Sequence, residues 1–194
     1  MIEILQTALP GVLEIVPRRF GDDRGYFVET FNATRLKDIG IDVDFCQDNH
    51  SYSRDAGVLR GLHYQMAPFA QDKLVRVTRG RVFDVAVDLR RGSPTYAKWV
   101  GVELSAEKGN QLFIPRGFAH AFLTLESDCE FQYKVSAYYS PEHDRSIRYD
   151  DLEINIIWPD LPVSIQLSDK DRAAPYLAAA DNNFLYDHSS QVDK

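Results

Sequence analysis

Residues 81–89 read Arg-Val-Phe-Asp-Val-Ala-Val-Asp-Leu, with Phe83, Val85, Val87 and Leu89 on one parity and Val82, Asp84, Ala86 and Asp88 on the other. Strict alternation sends successive side chains to opposite faces of an extended strand, and a period of 3.6 cannot produce it. Comparable short runs occur at Leu13–Val16, Gly25–Phe31, Phe45–Asn49, Val58–Tyr64, Lys73–Thr78, Lys98–Leu104, Asn110–Ile114, Ala119–Leu125 and Glu130–Val135. Gly80 between two runs, Gly92-Ser-Pro94 and Gly109-Asn110 supply the turn chemistry. Many short strands punctuated in this way predict an all-β fold, a double-sheet jelly roll or related barrel whose mouth holds a small ligand. One short helix is expected at Ala33–Ile39, with Asn32 as N-cap and Gly40 as C-cap, and another near Pro175. With no linker or repeat, the chain reads as one domain over residues 1–175 and a looser tail over 176–194.

At 194 residues a compact domain buries roughly 70% of its unfolded surface, enough for a core without staples. No apolar run approaches the ~20 residues of a membrane helix. The opening Met1-Ile-Glu-Ile-Leu-Gln lacks the basic and apolar regions of a secretory signal, and Cys46 and Cys129 are too few for a disulfide framework. The expected compartment is the cytoplasm. Net charge is −7, which disfavours nucleic acid as a partner. The stretch from Arg54 to Arg91 nevertheless carries eight Lys/Arg against four Asp/Glu, a local +4. It fits either a solvated face or a cationic pocket for an anionic small molecule.

Two histidine segments stand out, Leu59-Arg-Gly-Leu-His63-Tyr-Gln and Ile114-Pro-Arg-Gly-Phe-Ala-His120. A lone His between apolar neighbours is more often structural than catalytic. The second segment resembles the second cupin motif, Pro-x-Gly-x-x-His, which names a fold more than a reaction. Metal-binding cupins place two His one residue apart, aimed at one face, with a Glu following. Here the matching positions read His63-Tyr64-Gln65 and then Lys73, a cation that would repel a divalent metal. The expectation is a pocket that works without metal or other cofactor.

Taken together, Gln47-Asp-Asn49-His, Arg60-Gly-Leu-His63, Lys73-Leu-Val, Phe83-Asp-Val-Ala-Val-Asp88, Ile114-Pro-x-Gly-Phe-Ala-His120, Tyr133-Lys, Tyr138-Tyr139-Ser-Pro141, Ile156-x-Trp158-Pro159 and Leu167-Ser-x-Lys170-Asp171 resemble the dTDP-4-dehydrorhamnose 3,5-epimerase family. The matches run in order from about Gly21 to Asp171. The resemblance implies a cupin-type double-stranded β-helix with short peripheral helices, a homodimer, and a dTDP-linked 4-keto-6-deoxyhexose as substrate. It implies that His63 is the base, Asp171 its carboxylate partner, Tyr133 the opposing acid, and Lys73 the stabiliser of the enolate oxygen. Epimerisation beside a ketone needs such a set, because a proton must leave one face of the ring and another arrive on the opposite face. Arg24, Glu29, Gln47, Asn49, Arg60, His120, Tyr139, Asp144 and Lys170 are implied substrate contacts. Asp144 stands where family members often carry Glu. The alternative reading is a relative that inverts only C3 or only C5 of another nucleotide-linked 4-keto-deoxysugar. From other classes, a metal-dependent cupin oxygenase or isomerase is disfavoured by the missing His-x-His, and a non-catalytic binding module by the complete acid–base set.

Strand parity raises one question. Arg60 and His63 are three apart and point to opposite faces of a regular strand. They share a site only if Gly61 makes a bulge or if Arg60 serves a neighbouring subunit. Tyr133 and Tyr139, six apart, share a face if their strand stays regular that far.

Overall fold

The structure, a computed structural model, describes residues 2–187. In chain order its elements are β1 (Glu3–Gln6), β2 (Leu13–Val16), β3 (Arg19–Asp22), β4 (Gly25–Val28), α1 (Ala33–Asp38), β5 (Gln47–Ser53), β6 (Leu59–Gln65), β7 (Lys73–Arg79), β8 (Arg81–Asp88), β9 (Trp99–Ser105), β10 (Gln111–Ile114), β11 (Phe118–Thr124), β12 (Cys129–Val135), β13 (Asp144–Ser146), α2 (Asp169–Arg172) and a 3-10 turn at Leu177–Ala179. A six-stranded sheet in the order β1-β2-β10-β7-β12-β5 faces a five-stranded sheet in the order β13-β6-β11-β8-β9, and β3-β4 form a separate hairpin. The described strands all pair antiparallel, as expected of a jelly roll, and two isolated bridges, Val58 with Gln166 and Arg91 with Leu185, are parallel.

Parity decides what each strand sends inward. Val75 and Val77 of β7, Phe131 and Cys129 of β12, Leu112 and Ile114 of β10, and Val82 and Ala86 of β8 meet in one apolar cluster between the sheets. Continuing along the same inward faces, β7 reaches Lys73, β12 reaches Tyr133 and β11 reaches His120. One end of the sandwich is therefore a closed apolar core, and the other is a polar mouth. The second parity of β8, with Val85, Val87 and Leu89, is buried against Ile147, Ile154, Ile156, Leu177 and Phe184. Both faces of β8 are thus covered, which explains why its Asp84 and Asp88 are fully buried rather than solvated. On the outside of the six-stranded sheet, α1 buries Leu36 against Ile15, Leu74 and Phe113.

Helix α1 begins at the expected Asn32, whose side chain accepts from the Arg35 N–H. It ends in a Schellman motif: Ile41 N–H bonds to the Leu36 carbonyl, Gly40 N–H bonds to that of Lys37, and Gly40 has φ +89°. Gly40 therefore lies one residue past the cap, which is Ile39. The chain shows no break in packing at residue 175. Phe184 is buried in the core, Tyr64 donates to the Asp181 carbonyl at 2.6 Å, and Asn183 bonds to both backbone groups of Ala67. Residues 188–194 of the expected tail lie outside the described residues. No described helix is long and apolar enough to cross a membrane.

Candidate active site

Three strands of one sheet and two of the other converge on the mouth. From the five-stranded sheet, β6 brings Arg60 and His63 and β11 brings His120; from the six-stranded sheet come Asn49 on β5, Lys73 on β7 and Tyr133 on β12. A cavity of about 470 Å³ is lined by Arg60, His63, Lys73, His120, Tyr133 and Asp171 among others. A second lobe of about 440 Å³ is lined by Gln47, Asn49, Tyr139, Asp144 and Lys170 together with the same His63, Lys73 and Tyr133. Those three shared side chains form the boundary between two adjoining compartments, suited to a ligand with two unlike halves.

Gly61 answers the parity question. His120 faces His63 while Phe122 faces Arg60, so three steps along β6 match two along β11. The extra residue is a bulge, and Gly61 sits in it at φ +125°. A Cβ there would lie 2.5 Å from both the Ala121 Cβ and the His120 carbonyl oxygen. The bulge turns Arg60 to the same side as His63, so both line one cavity of the same chain. Tyr139 reaches the site differently from the parity expectation. Strand β12 stops at Val135, and Tyr139 arrives on the following loop, which Gln65 clamps by accepting from Ser140 N–H at 2.7 Å and donating to the Tyr138 carbonyl at 3.2 Å. Gln65 stands at the second-histidine position of the metal-binding pattern, where it performs this structural task.

His63 Nε2 lies 2.5 Å from Asp171 Oδ1. Asp171 is buried on α2, and Ser168 fixes it twice: its hydroxyl donates to Oδ2 at 2.8 Å and accepts from the Asp171 N–H at 3.1 Å. Burial pushes the Asp171 carboxyl up, but the bond and charge of His63 with the Ser168 bond outweigh it and hold the group below the usual carboxylate range. Lys73 is buried, and loss of hydration lowers its pKa to about 8 against the opposing pull of Asp84 and Asp144. Burial raises the Tyr133 phenol, with Arg60 partly offsetting it. His120 Nε2 is 2.9 and 3.1 Å from the two carboxylate oxygens of Asp84. Burial lowers the His120 pKa despite that carboxylate. Gln47 donates to Asn49 at 2.8 Å, Tyr139 donates to Asp144 at 3.2 Å, and Lys170 pairs with the same Asp144 oxygen.

Arg24 and Glu29 are the two expected contacts that the chain does not bring to its own cavity. Arg24 projects from the β3-β4 turn with its side chain 90% exposed, paired to Asp22, and Glu29 pairs with Arg35 at 2.9 Å. Of the cationic stretch, Arg60 and Lys73 enter the cavity, while Arg81 pairs with Glu103 and Glu126 and Arg90 with Asp88. Ser168, Gln65 and Asp84 carry supporting roles that the sequence reading did not assign. Ser168-Asp-Lys-Asp171 has the spacing of a helix-capping pair, and that spacing was the available signal for Ser168.

A histidine–carboxylate pair, a tyrosine and a buried lysine gather at the mouth of a cupin-type jelly roll, a set of groups able to take and give protons beside a carbonyl. The comparisons with known proteins make the class specific. Residues 6–179 match the family profile of dTDP-4-dehydrorhamnose 3,5-epimerase. The epimerase of that name from Sinorhizobium fredii is 53% identical over 89% of this chain and 88% of its own length. That of Salmonella typhimurium is 52% identical, covering 93% and 98%. The solved dTDP-6-deoxy-D-glucose-3,5-epimerase of Legionella pneumophila, in complex with dTDP-4-keto-L-rhamnose, superposes with a TM-score of 0.89 at 48% identity, covering 93% of this chain and 95% of that one. The chain belongs to the dTDP-4-dehydrorhamnose 3,5-epimerase family, and it is an isomerase.

Proposed function

We propose that the protein inverts C3 and C5 of dTDP-4-dehydro-6-deoxy-D-glucose to give dTDP-4-dehydro-L-rhamnose. The observation that carries this reading is the placement of His63 and Tyr133 on strands of opposite sheets, both facing one cavity, with Lys73 between the lobes. His63 removes the proton beside the ketone, and Asp171 favours the imidazolium that results. The Lys73 ammonium, itself buried, stabilises the enolate oxygen. Tyr133 delivers a proton to the opposite face. Arg60 contacts the diphosphate through charge-assisted bonds, and Gln47, Asn49, His120, Tyr139, Asp144 and Lys170 contact the remainder of the substrate. Since Lys73 supplies the positive charge, no metal enters the mechanism.

The active unit is a homodimer. Phe20, Tyr26 and Phe27 of the β3-β4 hairpin are 50%, 61% and 68% exposed, an apolar surface that a second copy would cover. The same hairpin carries Arg24, with Glu29 just after it, so docking on the partner would deliver both to the partner's cavity. Cys46 and Cys129 are both free, which supports the cytoplasm as its compartment.

Turnover of the 4-keto substrate in deuterated water tests the reaction. The expected product carries deuterium at both C3 and C5. Label at a single carbon would make the protein a one-centre epimerase, and absence of label would overturn proton abstraction altogether.

A further inference from the structure

Asp84 is fully buried in the middle of β8, touches no solvent, and is not among the residues that line the cavity. An isolated buried carboxylate is costly unless partnered, so its partners state its purpose. Among the described residues, its carboxylate hydrogen-bonds to His120 Nε2 alone. The register of β8 and β11 pairs Ala86 with His120 and Asp84 with Phe122, so Asp84 and His120 are diagonal neighbours on the inward face. His120 is itself buried, and its ring lies 6.0 Å from that of Phe131 at 25°. The imidazole is thus held by a carboxylate behind it and an aromatic face beside it.

We infer that Asp84 is a positioning residue for the epimerase site: from behind the cavity wall it fixes the orientation and tautomer of His120 and places a negative charge beside Lys73. A carboxylate accepts, so the His120 nitrogen facing it carries the hydrogen. Nδ1 is then the nitrogen left for the cavity, and in a neutral ring it is an acceptor. Burial keeps the ring neutral, so the site presents a fixed acceptor able to receive a hydroxyl hydrogen from the substrate sugar. The same carboxylate opposes the loss of charge that burial imposes on Lys73. Lys73 shares the cavity walls with His63, His120 and Tyr133 and, in the second lobe, with Asp144 of β13 and Lys170 of α2, while Asp84 of β8 stands one hydrogen bond behind His120. Of the two anions, Asp144 is already shared between Lys170 and Tyr139. The consequence for turnover rests on the proposed reaction; the tautomer and the lysine titration do not.

Nuclear magnetic resonance on the intact protein reads both. With histidine ring nitrogens labelled, His120 should show the neutral tautomer with hydrogen on Nε2 between pH 6 and 8 (roughly the window in which an ordinary histidine would titrate). With lysine side chains labelled, Lys73 in Asp84→Asn should titrate about 1 pH unit lower than in the parent, the smaller end of the shift expected for removing a nearby opposite charge. Asparagine keeps the shape and an acceptor oxygen but not the charge. A role confined to packing would move neither the tautomer nor the titration. Turnover in Asp84→Asn should fall by up to about tenfold above the shifted Lys73 titration, because a pKa lower by about one unit leaves about a tenth of the ammonium there, and the alkaline limb of its pH profile should move with Lys73. A His120 protonated at pH 7, or carrying its hydrogen on Nδ1, overturns the proposal even if no variant folds. An unshifted Lys73 titration in folded Asp84→Asn overturns its electrostatic half. A shifted titration with unchanged turnover would leave Asp84's effect on the two side chains standing and refute the role given to Lys73 in catalysis.

Discussion

His63 and Tyr133 face the cavity from different sheets, so in the proposed reaction loss of Tyr133 leaves proton removal intact, whereas loss of His63 stops both halves. His63→Ala eliminates proton removal, the first step at either carbon. Both epimerisation and deuterium exchange should fall by about 10²–10⁴-fold, the range for general-base catalysis. Tyr133→Phe keeps the ring packed against Phe131, 6.0 Å between centroids, and removes only the hydroxyl. If His63 returns a solvent-derived deuteron to the face it came from, this variant exchanges at C3 without inverting it. Full inversion by Tyr133→Phe would place the acid elsewhere, with Tyr139 the first candidate because it lines the second lobe. Lys73 carries a further expectation. A buried ammonium at the position of a metal-cupin ligand should make the enzyme indifferent to chelation. Dialysis against a strong chelator should leave turnover intact, and a loss restored by one divalent ion would reassign the protein to the metal-dependent cupins.

At the scale of single elements, β6 is the strand on which the site depends, and Gly61 is the residue on which β6 depends. Gly61→Ala puts a methyl group 2.5 Å from the β11 backbone at a positive φ. Overpacking of this kind costs about 1–3 kcal/mol and the strained backbone about 1–2 more. In a domain of this size that corresponds to a melting point lower by about 5–15 °C. Activity should fall further than stability, because relaxing the bulge would rotate Arg60 away from His63. An unchanged melting curve would mean that the bulge is not fixed by this contact. The sequence made β6 legible as a strand and offered the bulge as one of two solutions, but the choice needed the register against β11. The central strands and α1 were legible because their apolar spacing and caps are local properties. Three strands were not: β1 is a short edge, β3 reads Arg-Phe-Gly-Asp, and β13 reads Asp-Arg-Ser, none with an apolar period. Tertiary pairing creates them. The buried face of β8 with Asp84 and Asp88 was likewise hidden, since half-polar alternation ordinarily marks a strand with one face in water.

At the scale of the whole molecule, one chain gathers every expected site residue about its cavity except two, Arg24 in the β3-β4 turn and Glu29 just after β4. The β3-β4 hairpin pairs with neither large sheet, and its aromatic side chains are open to solvent. Arg24 and Glu29 were legible as site residues only through the family resemblance, and the proposal that they serve another copy of the chain rests on their distance from their own cavity. Subunit mixing decides the matter. If the hairpin acts on its partner, each cavity combines His63 of one chain with Arg24 of the other. Arg24→Ala and His63→Ala homodimers are then each defective, the first through weakened binding and the second through loss of the base. Mixing them in equal amounts under exchange conditions makes half the dimers mixed, and each mixed dimer has one site with both residues intact. At substrate concentrations well below saturation, about a quarter of wild-type activity should return in a closed two-fold dimer with isologous interfaces. Sedimentation should show the same dimer for both variants. Recovery no greater than the sum of the separate activities would mean that the hairpin acts within its own chain or not at all, and a monomer in sedimentation would remove the partner itself.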